Sequence, residues 1–262
     1  MLKKRILSGI IGMSLALILI FLGGIGYSLA VLIMAILGLE EYYRLSVRGN
    51  YIFPRCLSFL ITVLYFLLLY LNLSLVLEMS LFFLFIPFGL YFIFKNDFDF
   101  SDLTFSTWGI IYIVWFFGFL IALRFLPEGF NYTLLFFLSI WMNDTAAFFT
   151  GSYLGKHKLK PGLSPNKTVE GSLGGLFATV LFVLVIRKIF KLEFYPALGV
   201  GIIISFFGQA GDLVESALKR HLKVKDSGEI IPGHGGILDR FDSILLAAPP
   251  YYFYIKYLIE RL

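Results

Sequence analysis

Apolar residues in this chain come in long, nearly unbroken runs, without the period-two alternation of a half-buried strand. Placing breaks at charged residues and at Gly and Pro clusters leaves nine runs, at 6–22, 24–39, 57–75, 80–94, 106–125, 131–150, 171–190, 196–218 and 241–260. A bilayer core takes about 20 apolar residues per helix, and a membrane strand only about 9–11. The runs therefore predict transmembrane helices and not a barrel. Two places are less regular. The first pair is divided only by "LGGIGY", and Pro87 interrupts the short fourth run, so a re-entrant hairpin or a kinked span is expected there.

Composition sharpens the class. The chain is 59% hydrophobic and 15% charged, with a mean hydropathy of +0.86, whereas soluble domains hold about 45–50% apolar and about 25% charged residues. The runs leave no room for a soluble domain between them. All 262 residues are expected to form one integral membrane domain, an all-α bundle of about nine transmembrane helices. Within it, residues 1–130 supply the N-terminal spans and 131–262 the C-terminal half, where the candidate chemistry described below lies. The basic head and apolar body of the first run resemble a secretory signal, but no A-x-A site follows and a second apolar run begins at once, so a retained span is expected.

Charge then gives orientation. With a cytoplasmic N-terminus, all of the 22 basic residues except Arg124, Arg187, Lys188, Lys191, Lys256 and Arg261 fall on the cytoplasmic side, as the positive-inside rule requires. The sequence pI near 9.1 is accounted for by anionic headgroups and phosphate substrates without nucleic acid. Cys56 is the single cysteine, so neither an intrachain disulfide nor a cysteine zinc cluster can form. His157, His221 and His234 lack metal-site spacing, and neither a G-x-S-x-G elbow nor a Walker P-loop occurs.

Three stretches carry chemistry. In "WMNDTAAFFTGSYLGKHKLKPGLSPNKTVEGSLGG", residues 141–175, Asn143 and Asp144 fall inside a span, where an aspartate costs about 2.5–3.5 kcal/mol and usually faces a polar cavity. The basic segment after it ends in Ser164, Asn166, Lys167 and Thr168 at the start of the seventh span, where helix-end amides suit a phosphate. Gly171 with Gly175, and Gly174 with Ala178, are small pairs fit for close helix packing; a nucleotide-binding glycine loop is not expected, because no strand is foreseen before them. Small-residue stripes of this kind also allow a homodimer. In residues 208–243 a helix places Asp212, Glu215 and Lys219 on one face, and Asp239 and Asp242 share a face at the start of the ninth span. The glycine-rich "PGHGG" between them is flexible enough to bring both ends together, and three aspartates supply the oxygen ligands of a hard cation.

The run "SALKRHLKVKDSGEIIPGHGGILDRFDS", residues 216–243, resembles the signature of the phosphatidate cytidylyltransferases, or CDP-diacylglycerol synthases, through Ser216, Lys219, Arg220, Lys225, Asp226, Pro232, His234, Gly235, Gly236, Asp239, Arg240 and Asp242. "SPNKTVEG" and the "ND" segment upstream are similar to the same family, with Asn166 standing where the family pattern has a second lysine. The resemblance implies transfer of CMP from CTP to phosphatidic acid, giving CDP-diacylglycerol and pyrophosphate, with Mg²⁺ and room for a second cation. It implies an enzyme of the inner (plasma) membrane whose site lies at the cytoplasmic ends of the C-terminal helices, among membrane lipids. On that reading Asp212, Asp239 and Asp242, helped by Asp144, hold metal. Lys219, Arg220, Lys225 and Arg240 neutralise phosphate, beside Asp226. Asn143, Asp144, Ser164, Lys167, Thr168, Glu170, His234, Gly235 and Gly236 bind substrate. A CTP-dependent polyprenol kinase and a secondary transporter are the alternatives, the latter requiring a site near the bilayer midplane.

Overall fold

The computed structural model describes residues 2–71, 77, 79–95, 99–228 and 235–259. Among them the nine runs become nine helices: α1 (Leu2–Leu22), α2 (Gly24–Arg48), α3 (Arg55–Tyr70), α4 (Ser80–Ile93), α5 (Phe100–Arg124), α6 (Gly129–Leu154), α7 (Val169–Ile186), α8 (Phe194–His221) and α9 (Leu238–Tyr254). Helices α2, α5, α6, α7 and α8 are long and apolar enough to cross a membrane, while Ile11–Leu22, Arg55–Tyr70 and Leu84–Ile93 are shorter apolar helices. The chain is an all-α polytopic membrane protein. Pro87 does not split α4, which runs through it. The division of the first pair is sharp: Gly23 and Gly24 both take positive φ, and a side chain at Gly23 would overlap the Arg124 guanidinium.

One expectation fails. A two-stranded antiparallel hairpin, β1 (Lys158–Lys160) and β2 (Ser164–Thr168), leads directly into α7, where no strand was foreseen. The turn residues Pro161 and Gly162 between two short polar segments carry the signal for it. The segment reads as a basic loop because it is too short for hydrophobic alternation to show.

The chain divides into two compact units, residues 1–125 with 222–240, and residues 126–221 with 241–262. In the first, the Tyr42 hydroxyl donates to the Phe105 carbonyl at 2.8 Å and its ring stacks on Phe105 with centroids 4.7 Å apart. Gly109 admits that ring, since a side chain there would overlap it. Midway along α5 the backbone widens into a π-helical turn at Ile110–Trp115, and the Trp115 indole N–H donates to Ser80 Oγ at 2.8 Å.

In the second unit, α6 and α7 meet through glycine. A Cβ at Gly171 would lie 2.9 Å from the Ala147 carbonyl oxygen, one at Gly175 3.0 Å from the Ala147 Cβ, and one at Gly174 would overlap Thr150. The expected small pairs thus pack within the chain, letting backbones approach as small residues do in lipid. Gly211 does the same between α8 and α9: a side chain there would overlap the Asp242 carbonyl and meet the Leu246 Cβ at 3.0 Å. Farther along α9, Tyr251 donates to the Tyr132 carbonyl at 3.0 Å and stacks on Phe136.

Candidate active site

The close approach of α6, α7 and α8 leaves a cavity of about 520 Å³ in the second unit, lined by Asn143, Asp144, Lys167, Thr168, Gln209 and Asp212 among others. Its floor is a polar network. Ser205 Oγ donates to Asn143 Oδ1 at 2.7 Å, Gln209 Nε2 lies 3.1 Å from the same oxygen and from the Ser172 carbonyl, and Ser172 Oγ bonds Gln209 Oε1. Asn143 is fully buried and passes a hydrogen bond of 3.2 Å to Asp144 Oδ1, whose side chain opens into the cavity. A chain of satisfied amides thereby orients a carboxylate.

Across the cavity Lys167 Nζ lies 2.5 Å from Asp212 Oδ2. Asp212 is also in hydrogen-bonding contact with the carboxyl of Asp242, with Glu215 close by. Ser243 fixes Asp242 by donating its backbone N–H to Oδ1 at 2.7 Å. One helical turn beyond Asp212, the buried Glu215 forms an ion pair with Lys219 Nζ at 2.5 Å. Asp144, Asp212, Glu215 and Asp242 therefore stand with Lys167 and Lys219 in one unit. Carboxylates in contact repel unless a cation or a shared proton compensates them. Among the described residues no three or more His, Cys, Asp or Glu side chains form a ready metal cage. The arrangement fits Mg²⁺ in another way, because that ion is usually held by one or two carboxylates, several waters and substrate phosphate.

The other expected residues of this unit frame the cavity. Thr168 caps α7, its Oγ1 accepting from Gly171 N at 3.1 Å, and Val169 N donates to the His157 carbonyl at 2.9 Å, so two of the helix-end amides expected to face phosphate are already engaged. Ser164 pairs with Lys160 in the hairpin, and Asn166 lines the cavity. Glu170 holds the turn after α6, accepting from the backbone of Lys156 at 3.0 Å and from the His157 ring at 2.6 Å. Arg220 is exposed and donates to the Leu163 carbonyl at 3.3 Å.

In the first unit Ser227 and residues 235–238 surround two acids. Asp239 Oδ2 accepts from Ser227 N at 2.9 Å, from Ser227 Oγ at 2.9 Å and from Gly236 N at 2.8 Å. Gly235 takes φ of +82°, and a Cβ on it would lie 2.6 Å from that oxygen. The buried Glu41 of α2 accepts from Ile237 N at 2.7 Å, Leu238 N at 3.0 Å and Ser227 Oγ at 3.1 Å. It occupies the start of α9, where orphan amides and the helix dipole favour an anion. Arg240, Lys225 and Asp226 are exposed. His234 lies outside the described residues.

A family model described as the cytidylyltransferase family matches residues 3–258. The chain belongs to the cytidylyltransferase family. A phosphatidate cytidylyltransferase of Staphylococcus epidermidis is 37% identical over 256 residues, 94% of this chain and 96% of that protein. Those of Staphylococcus aureus and Staphylococcus saprophyticus are 48% identical over 157 residues, 59% of this chain, and that match spans 60% of their length. Membership in the cytidylyltransferase family thus extends through the N-terminal spans as well as the signature region.

Glu41, Ser205, Gln209 and Ser227 take part in these contacts without being expected from the sequence. Each had a signal. Glu41 and its neighbour Glu40 are acids in an apolar helix, Gln209 is a polar residue inside the eighth run, and Ser227 follows Asp226 in the signature. What the sequence lacks is the pairing across 186 residues that joins Glu41 to Ser227.

Proposed function

We propose that this protein is a phosphatidate cytidylyltransferase of the bacterial plasma membrane, moving CMP from CTP to phosphatidic acid and releasing pyrophosphate. The observation that carries the reading is the contact of Asp212 with Asp242 beside the Lys167–Asp212 ion pair, at a cavity that also receives Asp144.

A phosphate monoester has a second pKa of about 6, so phosphatidate reaches neutral pH largely as a dianion and needs no base to become a nucleophile. One of its oxygens bonds the α-phosphorus of CTP as the bond from that phosphorus to pyrophosphate breaks. The obstacle is charge, and such transfer is catalysed mainly by positioning and neutralisation. Lys167 and Lys219 bring two cations to the site, each already steered by an acid. Arg220, Lys225 and Arg240 are further cations for phosphate, and Thr168 and Ser164 are hydroxyl donors for it. Asp212 and Asp242, with Asp144 beside them, would hold Mg²⁺, which when bound supplies charge neutralisation for the triphosphate. For Asp239 the proposal is the one its place in the signature makes, participation in cation binding.

The basic residues favour a cytoplasmic site, where a nucleotide and a lipid headgroup meet. Solubilised protein given labelled CTP and phosphatidate, with and without Mg²⁺, should form lipid-linked cytidine and pyrophosphate only with the metal. Phosphorylation of a polyprenol acceptor with release of CDP from CTP would replace this reading with a kinase, and folded protein that turns over neither acceptor would end it.

A further inference from the structure

A second cavity, of about 500 Å³, lies within the first unit, and its lining includes Arg44 and Arg48 from the last turns of α2 together with Lys223, Lys225 and Asp226. Four cations against one acid line this space. Among the described residues neither Arg48, Lys223 nor Lys225 forms an ion pair with a carboxylate, and Arg44 makes only a 3.4 Å contact with Glu40, which Arg55 engages more closely at 2.8 Å. The cavity is built by packing. Gly49 lies against Leu222 and Tyr51 so closely that a Cβ on it would come within 2.7 Å of both, holding the 222–228 segment to the end of α2.

Toward its start, α2 carries an exposed apolar face. Ile25, Leu29 and Ile33 are 59%, 49% and 56% exposed along one face of α2, and Arg44 follows Ile33 on that face after about three turns. An amphiphile with its headgroup at Arg44 and Arg48 would lay its chains back along α2 toward Ile33, about 16 Å away, at the depth where basic residues meet anionic lipid. Guanidinium forks match phosphate oxygens in pairs, and the ammonium groups add point charges.

We propose that Arg44, Arg48, Lys223 and Lys225 form a phosphomonoester site that takes the headgroup of an anionic lipid lying along α2. As the site of the lipid substrate it rests on the function proposed above; as a binding site it does not. Its lining includes Ser227, which donates to both Glu41 and Asp239, so the segment that receives the phosphate also holds the start of α9.

The test uses the full chain in phosphatidylcholine nanodiscs containing phosphatidate, read by native mass spectrometry of retained lipid and by steady-state kinetics. Arg44→Gln with Arg48→Gln should reduce phosphatidate retention and raise KM for phosphatidate by roughly tenfold or more, the effect of two arginines near an anionic headgroup. Arg48→Lys, folding like the parent, should recover part of the retention. Unchanged retention in the double variant would overturn the site, as would a rise in KM for CTP in place of the lipid. Inorganic phosphate that displaces phosphatidate at equal concentration would assign the pocket to free phosphate and overturn the lipid assignment. Retained phosphatidate without cytidylyl transfer in the parent protein would sink the proposed function and leave this site standing.

Discussion

Asp242 on α9 is in hydrogen-bonding contact with Asp212 on α8, and Lys167 reaches Asp212 from β2 at 2.5 Å. Two acids and one lysine leave a deficit of positive charge at a point where three elements of one unit converge. On the function proposed above, a divalent cation would make good that deficit, and the contact would then serve binding better than stability.

Asp242→Asn should therefore separate function from folding. Turnover is expected to fall by roughly a hundredfold or more, as when a principal electrostatic contributor is lost, while the thermal midpoint in metal-free buffer stays level or rises because a repulsion has been removed. Asp212→Asn should lose activity likewise but also release Lys167. An Asp242→Asn protein with full cytidylyl transfer would refute the assignment of this pair.

Gly211→Ala tests the same contact without touching a carboxylate. Its new methyl group would overlap the Asp242 carbonyl and push α9 from α8. Overpacking of this kind costs about 1–3 kcal/mol, and displacement of Asp242 by a fraction of an ångström should lower kcat by roughly tenfold or more. Thermal unfolding in detergent and steady-state rates read the two effects.

Lys167→Met should raise KM for CTP more than it lowers the thermal midpoint. The lysine lines the cavity and faces Asp212, so its loss removes a cation from the nucleotide and leaves the acid exposed to water at the cavity wall. Isothermal binding of CTP with Mg²⁺ would show the change, and unaltered affinity would remove Lys167 from the site.

Glu41→Ala should be the most destabilising of these changes. It strands the Ile237 and Leu238 amides and the Ser227 hydroxyl in a buried setting, a loss of about 3–5 kcal/mol. Glu41→Gln keeps an acceptor and should retain part of that stability, with the difference visible as a higher thermal midpoint than the alanine variant.

The helices were legible in the chain because a bilayer demands long apolar runs, and all nine runs became helices among the described residues. Their ends were less so. Helix α2 continues past the expected limit at residue 39 to Arg48 because Glu41 is satisfied from a distant segment and Tyr42 by Phe105, neither of which a hydropathy window can register. Asp144 and Asp212 stand out as acids inside apolar runs and Lys167 and Asp242 as charges where runs begin, and the structure gathers them in one unit. The hairpin was missed because its strands are three and five residues long and polar. The amide network of Ser172, Ser205 and Gln209 was missed because uncharged polar residues in a span carry little contrast.

Glu41 also has a place in time. It leaves the ribosome 186 residues before Ser227 and 197 before Leu238, and chains fold from the N-terminus as they are made. Through most of synthesis α2 must enter the bilayer with an acid whose partners do not yet exist. Its burial is completed only when the segment leading into α9 arrives, so through most of synthesis α2 holds a carboxylate without the Ser227, Ile237 and Leu238 donors that surround it in the finished fold.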